Sequence, residues 1–237
     1  MIGNENMKIC GFQKTTLLDF PGHVAATVFL GSCNFRCPFC HNSGLLGDHA
    51  EAAFTSEDVL AVLSKRSGVL EGVCITGGEP TLSDGLESFI RSIRALGLAV
   101  KLDTNGYKPD VLKRLGHLGL LDYVAMDIKS SPENYAMTAG VKHLDISRIN
   151  ESICFLKEGN IPYEFRTTVV KGLHCDGDFE KIGPWLEGAS KYFLQNYVES
   201  DMVLSPGFGS YSAKELLAFA DIVRPYIKQV ELRGVDN

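Results

Sequence analysis

Three cysteines, Cys33, Cys37 and Cys40, fall within GSCNFRCPFCHN at the spacing C-x3-C-x2-C. Thiolates so spaced can converge on one metal centre from a single tight loop, and Pro38 restrains the path of that loop. Structural zinc usually takes four ligands, often as two separated C-x2-C pairs, and the sequence holds no second pair. His41 directly follows Cys40, a poor position from which to complete a Cys3His zinc site. A four-iron cluster held by Cys thiolates would take its ligands from this loop and leave one iron open to bind something else. Unligated cysteines in a core turn are the remaining reading, and the company of Asn, Arg and Pro argues against it. Cys10, Cys74, Cys154 and Cys175 show no ligand spacing, and Cys74 and Cys154 read as core residues.

Four further phrases bring polar groups to the ends of expected strands. In TGGEP, residues 76–80, Gly77 and Gly78 let the backbone approach a ligand, and Glu79 offers an acceptor for an ammonium group. An ordinary strand-to-helix turn would look the same. LDTNG places Asp103 and Thr104 together, with Asn105-Gly106 as the turn; a plain polar loop is the competing reading. In MDIK, Asp127 and Lys129 are two apart and share a strand face. They can pair with each other or divide a zwitterionic ligand between them. Glu164, Arg166 and Thr168 share a face in the same way, followed by GLH at 172–174. Arg166 can hold an anionic part of a ligand or a carbonyl of a target peptide, or form a salt bridge with Glu164.

The elements that must position these groups are short β-branched runs alternating with helical patterns, the signature of βα units around a parallel sheet. Strands are expected at 24–30, 72–76, 98–103, 121–128, 162–170, 192–198 and 228–232. Helices are expected from Thr55 or Ser56 to Arg66, from Ser83 or Asp84 to Leu96, over 146–158 with Gly159 as the stop, and over 212–223. A complete (β/α)8 barrel typically takes about 250 residues, and this chain spends 31–55 on an irregular stretch. The expectation is an α/β fold: a partial (β/α)6 TIM-like barrel with parallel strands, as one continuous domain over residues 1–237. A doubly wound dinucleotide-binding sheet is the competitor, but G-x-G-x-x-G is absent after the first strand. In either architecture chemistry collects at the C-terminal ends of the strands.

The chain of 237 residues is 45% hydrophobic and 22% charged, which excludes a disordered or low-complexity chain. A net charge of −6 argues against a protein held to nucleic acid by phosphate contacts. The odd count of seven cysteines fits a reduced compartment better than a secreted disulfide scaffold. The N-terminus MIGNENMKICGF lacks a basic run followed by an apolar stretch. VAATVFLG at 24–31 is well short of the roughly 20 residues a membrane helix needs. A cytoplasmic protein without membrane contacts is expected.

The triple-cysteine spacing followed by HN resembles the radical S-adenosylmethionine enzymes. LLDFPG at 17–22, CHN at 40–42, RTTVVKGLH at 166–174 and the ending ELRG at 231–234 resemble the glycyl-radical-enzyme activases, over nearly the whole chain. The resemblance implies a [4Fe–4S] cluster on Cys33, Cys37 and Cys40, and S-adenosylmethionine chelating the open iron. One electron then breaks the C5′–S bond, and the 5′-deoxyadenosyl radical abstracts hydrogen from a backbone glycine of a partner. It implies cofactor contacts at Phe39, His41, Asn42, Gly77, Gly78, Glu79, Asp103 and Thr104, with Lys129 at the methionine carboxylate, Asp127 beside the amino group and His174 at the ribose or adenine. Arg166 is implied as a catalytic-site residue that positions ligand or peptide. The related pyruvate formate-lyase activase has a cofactor-binding histidine in the following helix, where this chain reads DFEKIG. The implied partners are a glycyl radical enzyme, anaerobic ribonucleoside-triphosphate reductase in particular, and reduced flavodoxin or ferredoxin as electron donor. A radical enzyme acting on a small molecule, such as 7-carboxy-7-deazaguanine synthase, is the alternative. A metal-binding structural or regulatory module is the non-enzyme one.

Overall fold

The computed structural model describes residues 7–47 and 50–235. Among the described residues eight strands and their helices follow in the order β1 Ile9–Thr16, β2 Ala25–Leu30, α1 Ser56–Arg66, β3 Gly72–Gly77, α2 Leu86–Ala95, β4 Ala99–Thr104, α3 Pro109–His117, β5 Tyr123–Asp127, α4 Tyr135–Thr138, α5 Ile146–Glu158, β6 Tyr163–Val169, α6 Asp176–Trp185, β7 Lys191–Asn196, α7 Ala213–Val223 and β8 Gln229–Arg233. Strand order follows chain order, and the sheet is parallel apart from the antiparallel β1–β2 pair in the pairings resolved. This is the α/β class expected of a partial barrel. Among the described residues no helix is long and apolar enough to cross a membrane.

The chain divides into two compact units. The first comprises the N-terminal part to Asn34, Gly44–Thr104 and Lys108–Ala125; the second comprises Phe35–Ser43, Asn105–Tyr107 and the chain from Met126 onward. In the first unit, AATVFL of β2 and GVCITG of β3 are buried on both faces over most of their length, as helix-covered parallel strands must be. Gly72 begins β3 because Phe20 lies over it; a Cβ there would sit 2.8 Å from the ring. In the second unit, Phe165 of β6 and Leu194 of β7 are fully buried, and Phe179 of α6 stacks on Phe219 of α7 with ring centroids 4.6 Å apart.

Helix ends follow local chemistry. Thr55 and Asp58 form a reciprocal capping box on α1, and Ser212 and Glu215 form one on α7. The helix expected to start at Ser83 or Asp84 instead begins at Leu86, with Gly85 as a cap that makes no side-chain bond. The reason lies upstream: Pro80–Leu82 form a 3-10 turn capped by the Glu79 carboxylate, and the N–H of Ser83 closes that turn on Pro80 O. Cys74 is buried as expected, whereas Cys154 is exposed on α5 and is no core residue.

Candidate functional site

In the first unit the strand ends are laid onto the chain that leads to Cys33. Gly78 N–H donates to Leu30 O at 2.8 Å, and Glu79 N–H donates to Ser32 O at 2.8 Å. A Cβ on Gly77 would stand 2.3 Å from Leu30 O, and one on Gly78 would stand 2.0 Å from Ser32 O. The paired glycines thus admit a close approach to the protein's own backbone, where the sequence pointed to a ligand. Ser32, immediately before Cys33, holds φ +73°, a left-handed conformation that costs a non-glycine residue about 1 kcal/mol or more.

Glu79 is fully buried. Its carboxylate accepts from Thr81 N–H at 3.1 Å and from the Thr104 hydroxyl at 2.7 Å. Thr104 therefore orients Glu79. Beside them stands a residue that the sequence reading missed. Lys101, buried at 2% exposure, pairs with Asp103 and donates to Cys74 Sγ at 3.7 Å. Lys101 and Asp103 are two apart on β4, so the parity that joined Asp127 to Lys129 could have found this pair too.

In the second unit Cys37 and Cys40 occupy one turn, with Cys40 N–H donating to Cys37 O at 3.0 Å. That loop is pinned from several sides. Arg36 N–H donates to Ala139 O and Ser205 N–H to Pro38 O, both at 2.8 Å. His41 Nε2 donates to Val198 O at 2.6 Å, and the Ser43 hydroxyl donates to Met202 O at 2.6 Å. His41, implied as a cofactor contact, is thus engaged with backbone. Gly140, at φ +67°, lets the chain pass Arg36, whose carbonyl oxygen a Cβ would meet at 2.0 Å. Phe39 is buried with its ring edge-on to His174, centroids 6.5 Å apart.

Burial pushes the Cys37 thiol up to about 11, against an opposing pull from Lys129, and raises Cys40 as well. Both are thiols at neutral pH until a metal displaces the proton. All seven cysteines are unbridged, and among the described residues no group of three or more His, Cys, Asp or Glu is gathered as a metal cage.

Asp127, Lys129 and Arg166 form a cluster in the same unit. Lys129 Nζ lies 2.8 Å from Asp127 Oδ2, and Arg166 Nε lies 2.7 Å from Asp127 Oδ1. Burial pushes the Asp127 carboxyl up, but Arg166 and Lys129 more than offset it and hold the group well below the usual carboxylate range. Lys129 shows the mirror effect: burial pulls its ammonium down, and Asp127 raises it further. Lys129 and Arg166 both direct donors at Asp127, and cations gathered so are chemically suited to a carboxylate ligand. Glu164, the partner offered for Arg166, is gripped by Arg233, 69 positions away, at 2.7 and 3.0 Å.

His174 is 3% exposed, and both its ring nitrogens meet backbone. Val170 N–H donates to Nδ1 at 3.1 Å, and Nε2 stands 2.8 Å from Lys129 O.

The Radical SAM superfamily is matched over residues 27–182, well over half of the chain. A protein of Methanocaldococcus jannaschii, provisionally named a glycyl-radical enzyme activating enzyme, is 28% identical over 97% of both chains. A provisionally named GTP 3′,8-cyclase of Thermococcus kodakarensis is 32% identical over 62% of this chain; the chain spans only 47% of that protein. Among solved structures, Streptococcus suis SuiB bound to S-adenosylmethionine shares the fold at a TM-score of 0.66 and 15% identity, over 84% of this chain and 48% of SuiB. The chain therefore belongs to the radical SAM superfamily, whose enzymes use a [4Fe–4S] cluster and S-adenosylmethionine.

Proposed function

We propose that this protein is a glycyl-radical-enzyme activase. The observation that carries this reading is the end-to-end similarity to the M. jannaschii protein, set against cyclases matched over about half their length. Together the cluster and S-adenosylmethionine supply reductive cleavage of the C5′–S bond and a carbon radical that abstracts hydrogen from a glycine of the partner.

The residues present fit both groups. Cys33, Cys37 and Cys40 are unbridged thiols, Cys37 sheltered from water, on a loop pinned by several backbone bonds. They would hold the cluster and leave one iron open. Lys129 would hold the methionine carboxylate, and Arg166 would position the ligand or the target peptide. Glu79, kept in place by Thr104 and Thr81, would accept from the amino group, with Asp127 beside it. The backbone of Gly77 and Gly78 would border the methionine end. Phe39, His41, Asn42 and Asp103 would be further cofactor contacts, His41 and Asp103 each keeping its present bond. The protein's own share is orientation of these groups and exclusion of water. It would act as one radical SAM domain in the cytoplasm, with reduced flavodoxin or ferredoxin as electron donor. Its partner would be a glycyl radical enzyme, anaerobic ribonucleoside-triphosphate reductase in particular.

The test follows the hydrogen atom. A partner enzyme labelled with deuterated glycine is mixed with the reduced holoenzyme and S-adenosylmethionine, and the 5′-deoxyadenosine is weighed by mass spectrometry. Deuterium in the product is expected. Unlabelled product with every glycyl radical enzyme tried would contradict the proposal and favour a small-molecule substrate, the class the cyclase similarity represents.

A further inference from the structure

We infer that His174 is a positioning residue for Lys129, a role distinct from the nucleoside contact that resemblance implies. The inference rests on the reading above, in which Lys129 meets the methionine carboxylate.

The turn after β6 returns His174 to the end of its own strand: Leu173 N–H and His174 N–H both donate to Val170 O, at 3.1 and 3.0 Å, and Gly172 takes φ +101°. Nδ1 lies 3.1 Å from Val170 N–H and 3.4 Å from Val170 O; the shorter contact assigns it the acceptor role and the ring the neutral Nε2–H tautomer. Nε2 then donates to Lys129 O at 2.8 Å. One neutral imidazole thus joins the backbone beyond β6 to the backbone beyond β5. The ring is held in turn by Phe39 and by Phe179, whose centroids lie 6.5 and 6.3 Å away. The Tyr211 hydroxyl donates to His174 O at 2.6 Å.

A second anchor grips the residues that follow. The Asp178 carboxylate accepts from Ser130 Oγ at 3.2 Å, Ser131 Oγ at 2.6 Å and Asn134 Nδ2 at 2.8 Å, while also capping α6 through Cys175 N–H at 3.0 Å. With the carbonyl of Lys129 fixed by one anchor and the next residues by the other, the base of its flexible stem cannot drift. A lysine ammonium is a point charge on a four-carbon chain, so its reach toward an anion depends on where that base is held. Because both ring nitrogens are engaged by backbone, the ring acts through Lys129.

The experiment uses cluster-loaded, unreduced protein and reads the dissociation constant for S-adenosylmethionine by titration calorimetry, with cluster content followed by visible absorption. In His174→Asn the side chain can still accept from Val170 but is too short to donate to Lys129. Its Kd is expected to rise about tenfold, the cost of one buried hydrogen bond, with cluster content unchanged. His174→Gln reaches both partners and is expected to bind within about twofold of the parent, since its bond survives. In a Lys129→Met background, His174→Asn is expected to add nothing. Parental binding by His174→Asn, equal losses in Asn and Gln, or an undiminished further loss in the Lys129→Met background would each overturn the inference. Parental binding by Lys129→Met alone would overturn the carboxylate reading and the inference with it. Should His174→Asn fail to fold, Ser131→Ala decides through the second anchor: weakening of about threefold supports the inference, and parental binding overturns it.

Discussion

Lys129 and Arg166 both bond to Asp127, and cations gathered at one strand end make this cluster a candidate site for an anionic ligand. Replacing Lys129 with Met removes a charge-assisted bond and is expected to weaken S-adenosylmethionine binding about 10- to 100-fold, read by calorimetry. Cys37→Ala is expected to abolish both the brown chromophore of the cluster and S-adenosylmethionine cleavage; a chromophore of full intensity would show that this thiol is no ligand. At this scale the sequence exposed residue types and parity but not partners. Asp127 and Lys129 were legible as a pair from their spacing of two, although β5 ends at Asp127. The bond from Arg166 to Asp127 was not, since the two residues lie 39 positions apart and only the fold brings them together. Lys101 escaped because an inward lysine in an apolar strand looks like an interruption until its partner Asp103 is seen.

Among the elements, the turn after β3 carries the tightest packing. Gly78→Ala would place a Cβ 2.0 Å from Ser32 O, so the chain leading to Cys33 must shift. A loss of about 2 kcal/mol or more in stability is expected, with lower cluster content, measured by chemical denaturation and iron analysis. The turn after β6 carries a pH dependence. Burial lowers the His174 pKa, more than its bonds to Lys129 and Val170 and the nearby Asp178 can raise it. The folded protein therefore binds fewer protons here than the unfolded chain, whose histidine titrates near about 6.5. The stability contributed by the neutral ring is fully present above that pH and falls on acidification below it, by up to about 1.4 kcal/mol per pH unit. His174→Gln is expected to flatten that part of the profile in denaturation measured across pH; an identical slope would contradict it. Strands rich in β-branched residues were legible from the sequence, as were α1 and α7 with their Thr55 and Ser212 capping boxes. β1 was not, because ICGFQKTT is a half-exposed edge strand with neither clean alternation nor a continuous apolar run. The start of α2 was misplaced because Glu79 and Pro80 spend their capping chemistry on a 3-10 turn first.

On the scale of the whole molecule, family and fold follow from one short loop and a succession of βα units, and both were legible before any coordinates. What the enzyme acts on was not, since neither the cysteine loop nor the succession of βα units carries a motif for the substrate. The central claim concerns the partner, and electron paramagnetic resonance tests it most directly. Reduced, cluster-loaded protein is mixed anaerobically with S-adenosylmethionine and a glycyl radical enzyme, beginning with anaerobic ribonucleoside-triphosphate reductase. The account predicts a glycyl doublet on the partner, absent when Cys37 is Ala. Steady formation of 5′-deoxyadenosine without a doublet on any such partner would contradict it.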